Sequence, residues 1–186
     1  MSVLTTERLI LRRFDRGDAE FILVLLNEPS FLRNVGDKGV RTVADAEGYI
    51  ASGPVASYER FGFGLYLVAL RDSGTPIGMC GLLKRDTLDD VDIGFAFLPA
   101  YWSKGYAVES AAAIMTYGRD VLGLQRIVAI VSPDNRDSFR VLEKIGFTLQ
   151  GMIRQSDEEL AFFASDSTDR AGVSDRRPPA REAAGS

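Results

Sequence analysis

Six consecutive residues, Trp102-Ser103-Lys104-Gly105-Tyr106-Ala107, carry the first chemical signal in this chain. They follow a run that reads as a strand, Val91 to Leu98, ended by Pro99. They precede a run that reads as a helix, with Val108, Ala111, Ala112, Met115 and Leu122 on one stripe and Gly123 at its C-terminal cap. A loop feeding the first turn of a helix aims several unpaired N–H groups at one point, with the helix dipole behind them, and that point attracts a phosphate. Gly105 lets the backbone come close to a ligand, and Ala107 keeps the mouth of the loop narrow. The same spacing also fits an ordinary strand-to-helix connection. The pattern GxxxxGK[ST] is absent, which argues against a nucleoside triphosphatase. Gly62-Phe63-Gly64 lacks the third glycine of a dinucleotide fingerprint and reads as a turn leading into a strand.

The residue types that are missing narrow the chemistry further. The chain contains no histidine, which removes the commonest general base, the Ser-His-Asp triad and histidine metal sites. Its one cysteine, Cys80, lies mid-strand between Met79 and Gly81 and reads as a small buried hydrophobe rather than a nucleophile. One cysteine allows no internal disulfide, so a reducing compartment is the default. No metal site is expected. The net charge of −4 favours neither nucleic acid nor an anionic membrane as partner. With no apolar run of spanning length and no signal-peptide pattern, the expected location is the cytoplasm.

The elements that must position these residues fit one domain, since 186 residues can bury a full core. Leu4 to Phe14 reads as a first strand. A helix starts at Asp15-Arg16-Gly17-Asp18, buries Phe21, Ile22, Leu25 and Leu26, and ends at Pro29. Phe31 to Val40 reads as loop. Thr42, with Asp45 three residues on, opens a second helix, which Gly53-Pro54 must kink or break. Phe63 to Leu70, Thr75 to Leu83 and Val91 to Leu98 form an antiparallel run with short connections. Leu124 to Val131 reads as a buried strand, and Ser132-Pro133-Asp134-Asn135 turns into a helix from Arg136 to Ile145. The two helical crossovers imply parallel pairing. Phe147 to Arg154 and Glu159 to Ala164 make a last hairpin. The expected fold is α/β, with a mixed, mostly antiparallel sheet of about seven strands and about four helices. The domain spans 1–164. Residues 165–186 hold no aromatic residue and one large aliphatic, Val173, and are expected to be a flexible tail.

Taken in order, several segments resemble the GNAT superfamily of acetyl-CoA-dependent N-acyltransferases. They are Thr6 to Arg12, Pro76-Ile77-Gly78, Asp92-Ile93-Gly94-Phe95, Tyr101 to Glu109, and Asn135 to Phe147. Each is weak alone; together, over roughly residues 4 to 164, they are specific. The closer likeness is to the Rim-type branch, which acetylates N-terminal amines of ribosomal proteins. The resemblance implies an enzyme that transfers acetyl from acetyl-CoA to a primary amine, by direct attack in a ternary complex. The acceptor is a protein N-terminus or a small amine, and the protein is a monomer or homodimer. A non-catalytic acyl-CoA sensor of the same fold is the other reading.

The resemblance also implies roles for particular residues. The pantetheine arm would lie along the backbone of Phe95, Ala96 and Phe97, and the pyrophosphate on N–H groups from Ser103 to Val108. Trp102 stands where the branch often has tryptophan, and Ser103 where it has glycine. Lys104 could approach the phosphates or simply be solvated. Asn135 would contact the arm, and its position also suits a helix N-cap. Leu142 occupies the place of the tyrosine that many members use as proton donor, so Ser138 is the candidate partner of the leaving thiolate, unless it is a plain surface serine. Asp92 stands where the branch usually carries glutamate. It shares a face with Gly94 and Ala96 and is the candidate base, or else a strand-end acid in an ion pair. Glu109 matches as well, but in the first turn of a helix it reads as structural. The acceptor pocket is expected among Phe31 to Val40, Tyr58 to Phe63 and Arg154 to Glu159.

Overall fold

A computed structural model of the chain describes residues 2–155 and 157–166. The expected first strand is a hairpin. β1 (Ser2–Thr5) and β2 (Leu9–Arg12) pair through a turn at Thr6, whose N–H donates to Leu9 O. α1 (Ala19–Leu26) follows a 3-10 turn that is closed by a reciprocal capping box between Asp15 and Asp18. Pro29 does not end this helix but opens another, α2 (Pro29–Asn34), because a proline at the first helical position gives up only an N–H that has no partner there. The 31–40 segment is therefore part helix. α3 (Val43–Ile50) has the expected Thr42–Asp45 capping box. At Gly53-Pro54 the chain neither stops nor turns away. One π-helical turn, Ala51–Val55, accommodates the proline, and α4 (Ala56–Phe61) continues to Gly62, left-handed at φ 80°.

β3 (Leu65–Leu70), β4 (Pro76–Leu83) and β5 (Val91–Phe97) form the expected antiparallel run. After them come α5 (Tyr106–Asp120), β6 (Arg126–Val131), α6 (Arg136–Lys144), β7 (Thr148–Gln155) and β8 (Glu158–Asp166). The eight strands are ordered β1-β2-β3-β4-β5-β6-β8-β7. Among the described residues only β5 and β6 pair in parallel. The second helical crossover does not give a parallel pair, since β8 inserts between β6 and β7 and pairs antiparallel with both. The sheet thus has one strand more than expected, and six helices of at least six residues appear among the described residues.

Helices α1 to α3 cover one face of the sheet. Ile22, Leu25, Leu26, Phe31, Ala46 and Ile50 pack there on Leu67, Ala69 and Met79. On the other face Ala111, Ile114 and Met115 of α5 and Leu142 of α6 pack on Val91, Ile93, Phe97, Ile127 and Phe163. Cys80 is fully buried in this second layer, and burial pushes its thiol up to about 12, which leaves it no thiolate to attack with. Ser165 and Asp166, expected in the tail, belong to β8. Arg119 donates to Ser165 Oγ at 2.6 Å, and Asp166 pairs with Arg126. The rest of the expected tail lies outside the described residues. Among the described residues no helix is long and apolar enough to cross a membrane.

Candidate active site

The site begins where two strands part. β5 and β6 are in register only at Val91 with Ile127 and Asp92 with Val128. Beyond Asp92 the outer edge of β5 has no strand beside it. On the inner edge Met79 faces Ala96, and Leu98 N–H donates to Ile77 O at 3.0 Å. Alternation along a strand then turns the polar groups of Ala96 toward β4 and those of Phe95 and Phe97 toward the open edge. Of the three residues expected to pair with an extended ligand, Ala96 is thus directed away, while its side chain still lines the cleft. The Phe97 carbonyl is already engaged, since the Trp102 indole N–H donates to it at 2.7 Å. Phe95 N–H and C=O and Phe97 N–H remain.

The Phe97–Trp102 bond ties the glycine loop to the end of the strand that leads into it. Ser103 holds φ 59° and Gly105 φ 81°, two left-handed residues in three. Glycine adopts that region freely, and serine does so at a cost of about 1–2 kcal/mol. Gly105 is the N-cap of α5 and makes no side-chain cap bond, so the first N–H groups of the helix are left for a ligand. A Cβ on Gly105 would lie 3.2 Å from Arg8 Nη2. Arg8 itself was not foreseen. It donates to Lys104 O at 2.9 Å, lies 4.6 Å from the centre of the Tyr106 ring, and pairs with Glu109. The Thr6 to Arg12 segment therefore buttresses the glycine loop.

Across the opening stands the N-terminus of α6. Asn135 Oδ1 accepts from Ser138 N–H at 3.2 Å, so the N-cap reading holds. Its amide nitrogen and the Ser138 hydroxyl make no hydrogen bond among the described residues. Leu142 is fully buried in the core, where a tyrosine hydroxyl would find no water. One cleft of about 590 Å³ gathers Phe95–Phe97, Trp102, Ser103, Gly105–Val108, Asn135 and Ser138. Arg136, Arg140 and Lys144 also line it, three cations at helical spacing that the sequence reading did not single out. Lys104 does not line the cleft; its ammonium lies 5.5 Å from the Tyr101 ring centre.

Asp92 stands apart from this cleft. Its side chain is 1% exposed and faces the α1–α3 side with Gly94 and Ala96. Arg85 Nε donates to both carboxylate oxygens, at 3.0 and 3.1 Å. Burial pushes the carboxyl up from its ordinary value, and Arg85 only partly pulls it back. Buried at 1% exposure behind Arg85, this carboxyl has no direct path to a bulky ammonium. Arg85, reached from a polar loop, carries no sequence signal that would have marked it.

Comparison with known proteins gives the family. Residues 8–148 match the family described as "Acetyltransferase (GNAT) domain". A Bacillus subtilis protein named "Uncharacterized N-acetyltransferase YnaD" is 32% identical over 152 residues, covering 82% of this chain and 86% of its own. The crystal structure of a GNAT-family acetyltransferase from Bacillus anthracis superposes with a TM-score of 0.74 at 28% identity, over 88% of this chain and 97% of that one. RimL, a ribosomal alpha-N-protein acetyltransferase solved with coenzyme A, shares the fold with a TM-score of 0.76 at 20% identity, over 89% of this chain and 98% of its own. The chain is a member of the GNAT acetyltransferase family.

Proposed function

We propose that this acetyltransferase moves the acetyl group of acetyl-CoA to a primary amine, in the first instance a peptide N-terminus, by direct attack in a ternary complex. The observation that carries the reading is the unpaired β5 edge opening straight onto the N-terminus of α5 within one cleft. An extended arm fits the free groups of Phe95 and Phe97, a pyrophosphate fits the N–H groups of Ser103 to Val108, and Arg136, Arg140 and Lys144 suit further phosphate charge.

The neutral amine nitrogen attacks the thioester carbonyl carbon. A C–N bond forms and the C–S bond breaks. The ammonium proton leaves through water to Asp92, and the CoA thiolate is received by the Ser138 hydroxyl as a hydrogen-bond donor. Asn135, held as a cap, keeps its amide donors for the arm. The Rim-type motifs support the peptide N-terminus as acceptor class.

The test is an acetyl-CoA turnover screen against peptides with varied N-termini and against small amines. Acetylated product with stoichiometric free thiol is expected. Coenzyme binding without turnover on any amine marks a sensor and overturns the proposal.

A further inference from the structure

A second cleft, of about 280 Å³, opens on the helical face that Asp92 points toward, between the α3–α4 segment and the outer end of β4. Arg60, Lys84 and Arg85 line it, with Tyr49, Ser52 and Phe61 among the neutral residues, and among the described residues no carboxylate takes part in its lining. The three cations are only lightly satisfied. Lys84 Nζ donates to two backbone carbonyls, Leu88 O at 2.8 Å and Asp89 O at 2.6 Å, which orient the ammonium without neutralising it. The Arg60 guanidinium lies 4.9 Å from the Phe61 ring centre. Arg85 spends Nε on Asp92, and its two terminal nitrogens make no hydrogen bond among the described residues. Two acids of β5 and its approach are taken up by other partners, while Glu158 acts on Lys38, which itself lies near Arg85. Asp92 is buried behind Arg85, and Asp90 pairs with Arg126 at 3.3 Å.

This cleft and the coenzyme cleft lie one after the other along the same face of β5. Asp92, Gly94 and Ala96 share one face of the strand. Leu83 covers Gly94, where a Cβ would lie 2.8 Å from Leu83 Cδ1 and 3.6 Å from Leu65 Cδ2, and both leucines line the second cleft, so an acceptor reaching from one cleft to the other must pass over the Leu83 side chain. Two residues on, Ala96 lines the coenzyme cleft. The strand rise of about 3.4 Å per residue puts Asp92 about 10 Å from Phe95, so a molecule spanning the two clefts has one end among the cations and the other at the open edge.

We propose that the acceptor is an amine bearing an anionic group, a carboxylate about 7–10 Å from the reacting nitrogen, read by Arg60, Lys84 and the free end of Arg85. This inference rests on the acetyl-transfer reading above and narrows its substrate. The spacing suits a peptide whose acidic side chain lies one or two residues after the N-terminal amine, or a small amine with a distant carboxylate. A polyamine places ammonium groups against three cations and is selected against.

The experiment compares kcat/KM with acetyl-CoA for peptides identical except for Asp, Asn or Lys at the second and third positions, for 5-aminovalerate, and for spermidine. Acidic peptides are expected to exceed neutral ones at least tenfold and basic ones further, with the advantage shrinking as salt rises. If 5-aminovalerate exceeds the peptides, the anion belongs to a small substrate, which still supports the inference. Lys84→Gln and Arg60→Gln should each shrink the kcat/KM ratio of acidic over neutral peptide severalfold, mainly by raising KM for the acidic one. Acetylation of acidic, neutral and basic amines at similar rates, or a preference for spermidine, overturns this inference and leaves acetyl transfer intact. Acetylation of no amine of any charge overturns both.

Discussion

Glu109 in the first turn of α5 grips Arg8 of the β1–β2 turn from three directions. Its Oε2 takes Arg8 Nε at 2.7 Å and Nη2 at 2.6 Å, and its Oε1 takes the Arg8 backbone N–H at 2.9 Å. Thr6 Oγ1 donates to the same Oε1 at 2.6 Å. Glu109 is thus structural, as its position in a first helical turn suggested, and the structure it serves is the glycine loop, through the Arg8 bond to Lys104 O. Arg8→Ala should weaken acetyl-CoA binding about tenfold, or ~1.4 kcal/mol, the size of one charge-assisted contact. Calorimetric titration with acetyl-CoA measures it. An unchanged Kd would mean that the loop holds its shape without the clamp.

The same pair predicts an acid dependence. Burial opposes the Glu109 charge, but the Thr6 hydroxyl and the Arg8 donors outweigh it and hold the carboxyl below its usual range. A carboxyl lowered by folding contributes stability that is full above its unfolded pKa, about 4.3, and is lost as pH falls through the folded value. Wild type should therefore lose Tm more steeply than Glu109→Gln as pH drops from about 5 to 3. Parallel Tm curves for the two proteins over that range would sink the argument.

Ser103 offers a test of backbone geometry. Its φ of 59° belongs to glycine's region, at the position where the Rim-type pattern has glycine. Ser103→Gly should bind acetyl-CoA as wild type does and change stability by less than about 1 kcal/mol, since relief of strain offsets added chain freedom. Ser103→Val, β-branched and barred from that region, should cost about 1–3 kcal/mol and weaken binding. Chemical denaturation with a parallel Kd measurement decides it; a valine variant equal to wild type would show that the loop has another conformation.

Asp92 and Ser138 should separate in their pH profiles. Asp92→Asn should lower kcat/KM most at low pH, where few amines are already neutral, and recover in part as pH rises. If Ser138 receives the departing thiolate as proposed, the deficit of Ser138→Ala should stay nearly constant with pH. Each loss should be about tenfold to a thousandfold. Because burial raises the Asp92 carboxyl, the acidic limb of the wild-type profile should lie above the ordinary carboxylate range. An Asp92→Asn profile that overlays wild type makes the Arg85–Asp92 pair a purely structural tie.

Much of this protein was legible from local patterns, because those patterns are enforced locally. The strand–glycine loop–helix run from Val91 to Gly123 is set by a two-residue period, a proline stop, a left-handed glycine and a 3.6-residue stripe, and each acts within a few residues of itself. The Thr42 box is a reciprocal pair of bonds and the Asn135 cap a single bond, each across three residues, so sequence spacing specifies them. Where local rules permitted two outcomes, packing chose. Pro29 can end a helix or begin one, and Gly53-Pro54 can break one or widen it by a turn. The insertion of β8 between β6 and β7 depends on pairings between distant segments that leave no mark in either strand alone. The site divides in the same way. Its loop and caps were visible, but the parting of β5 from β6 after Asp92, the Arg8–Glu109 clamp across 101 residues and the Arg85–Asp92 pair exist only once the sheet has formed. Sequence determines which groups carry charge, hydrogen bonds or freedom at positive φ. Only tertiary structure decides which of them share a cleft, because that proximity is created by long-range strand pairing and burial, to which spacing along the chain is blind.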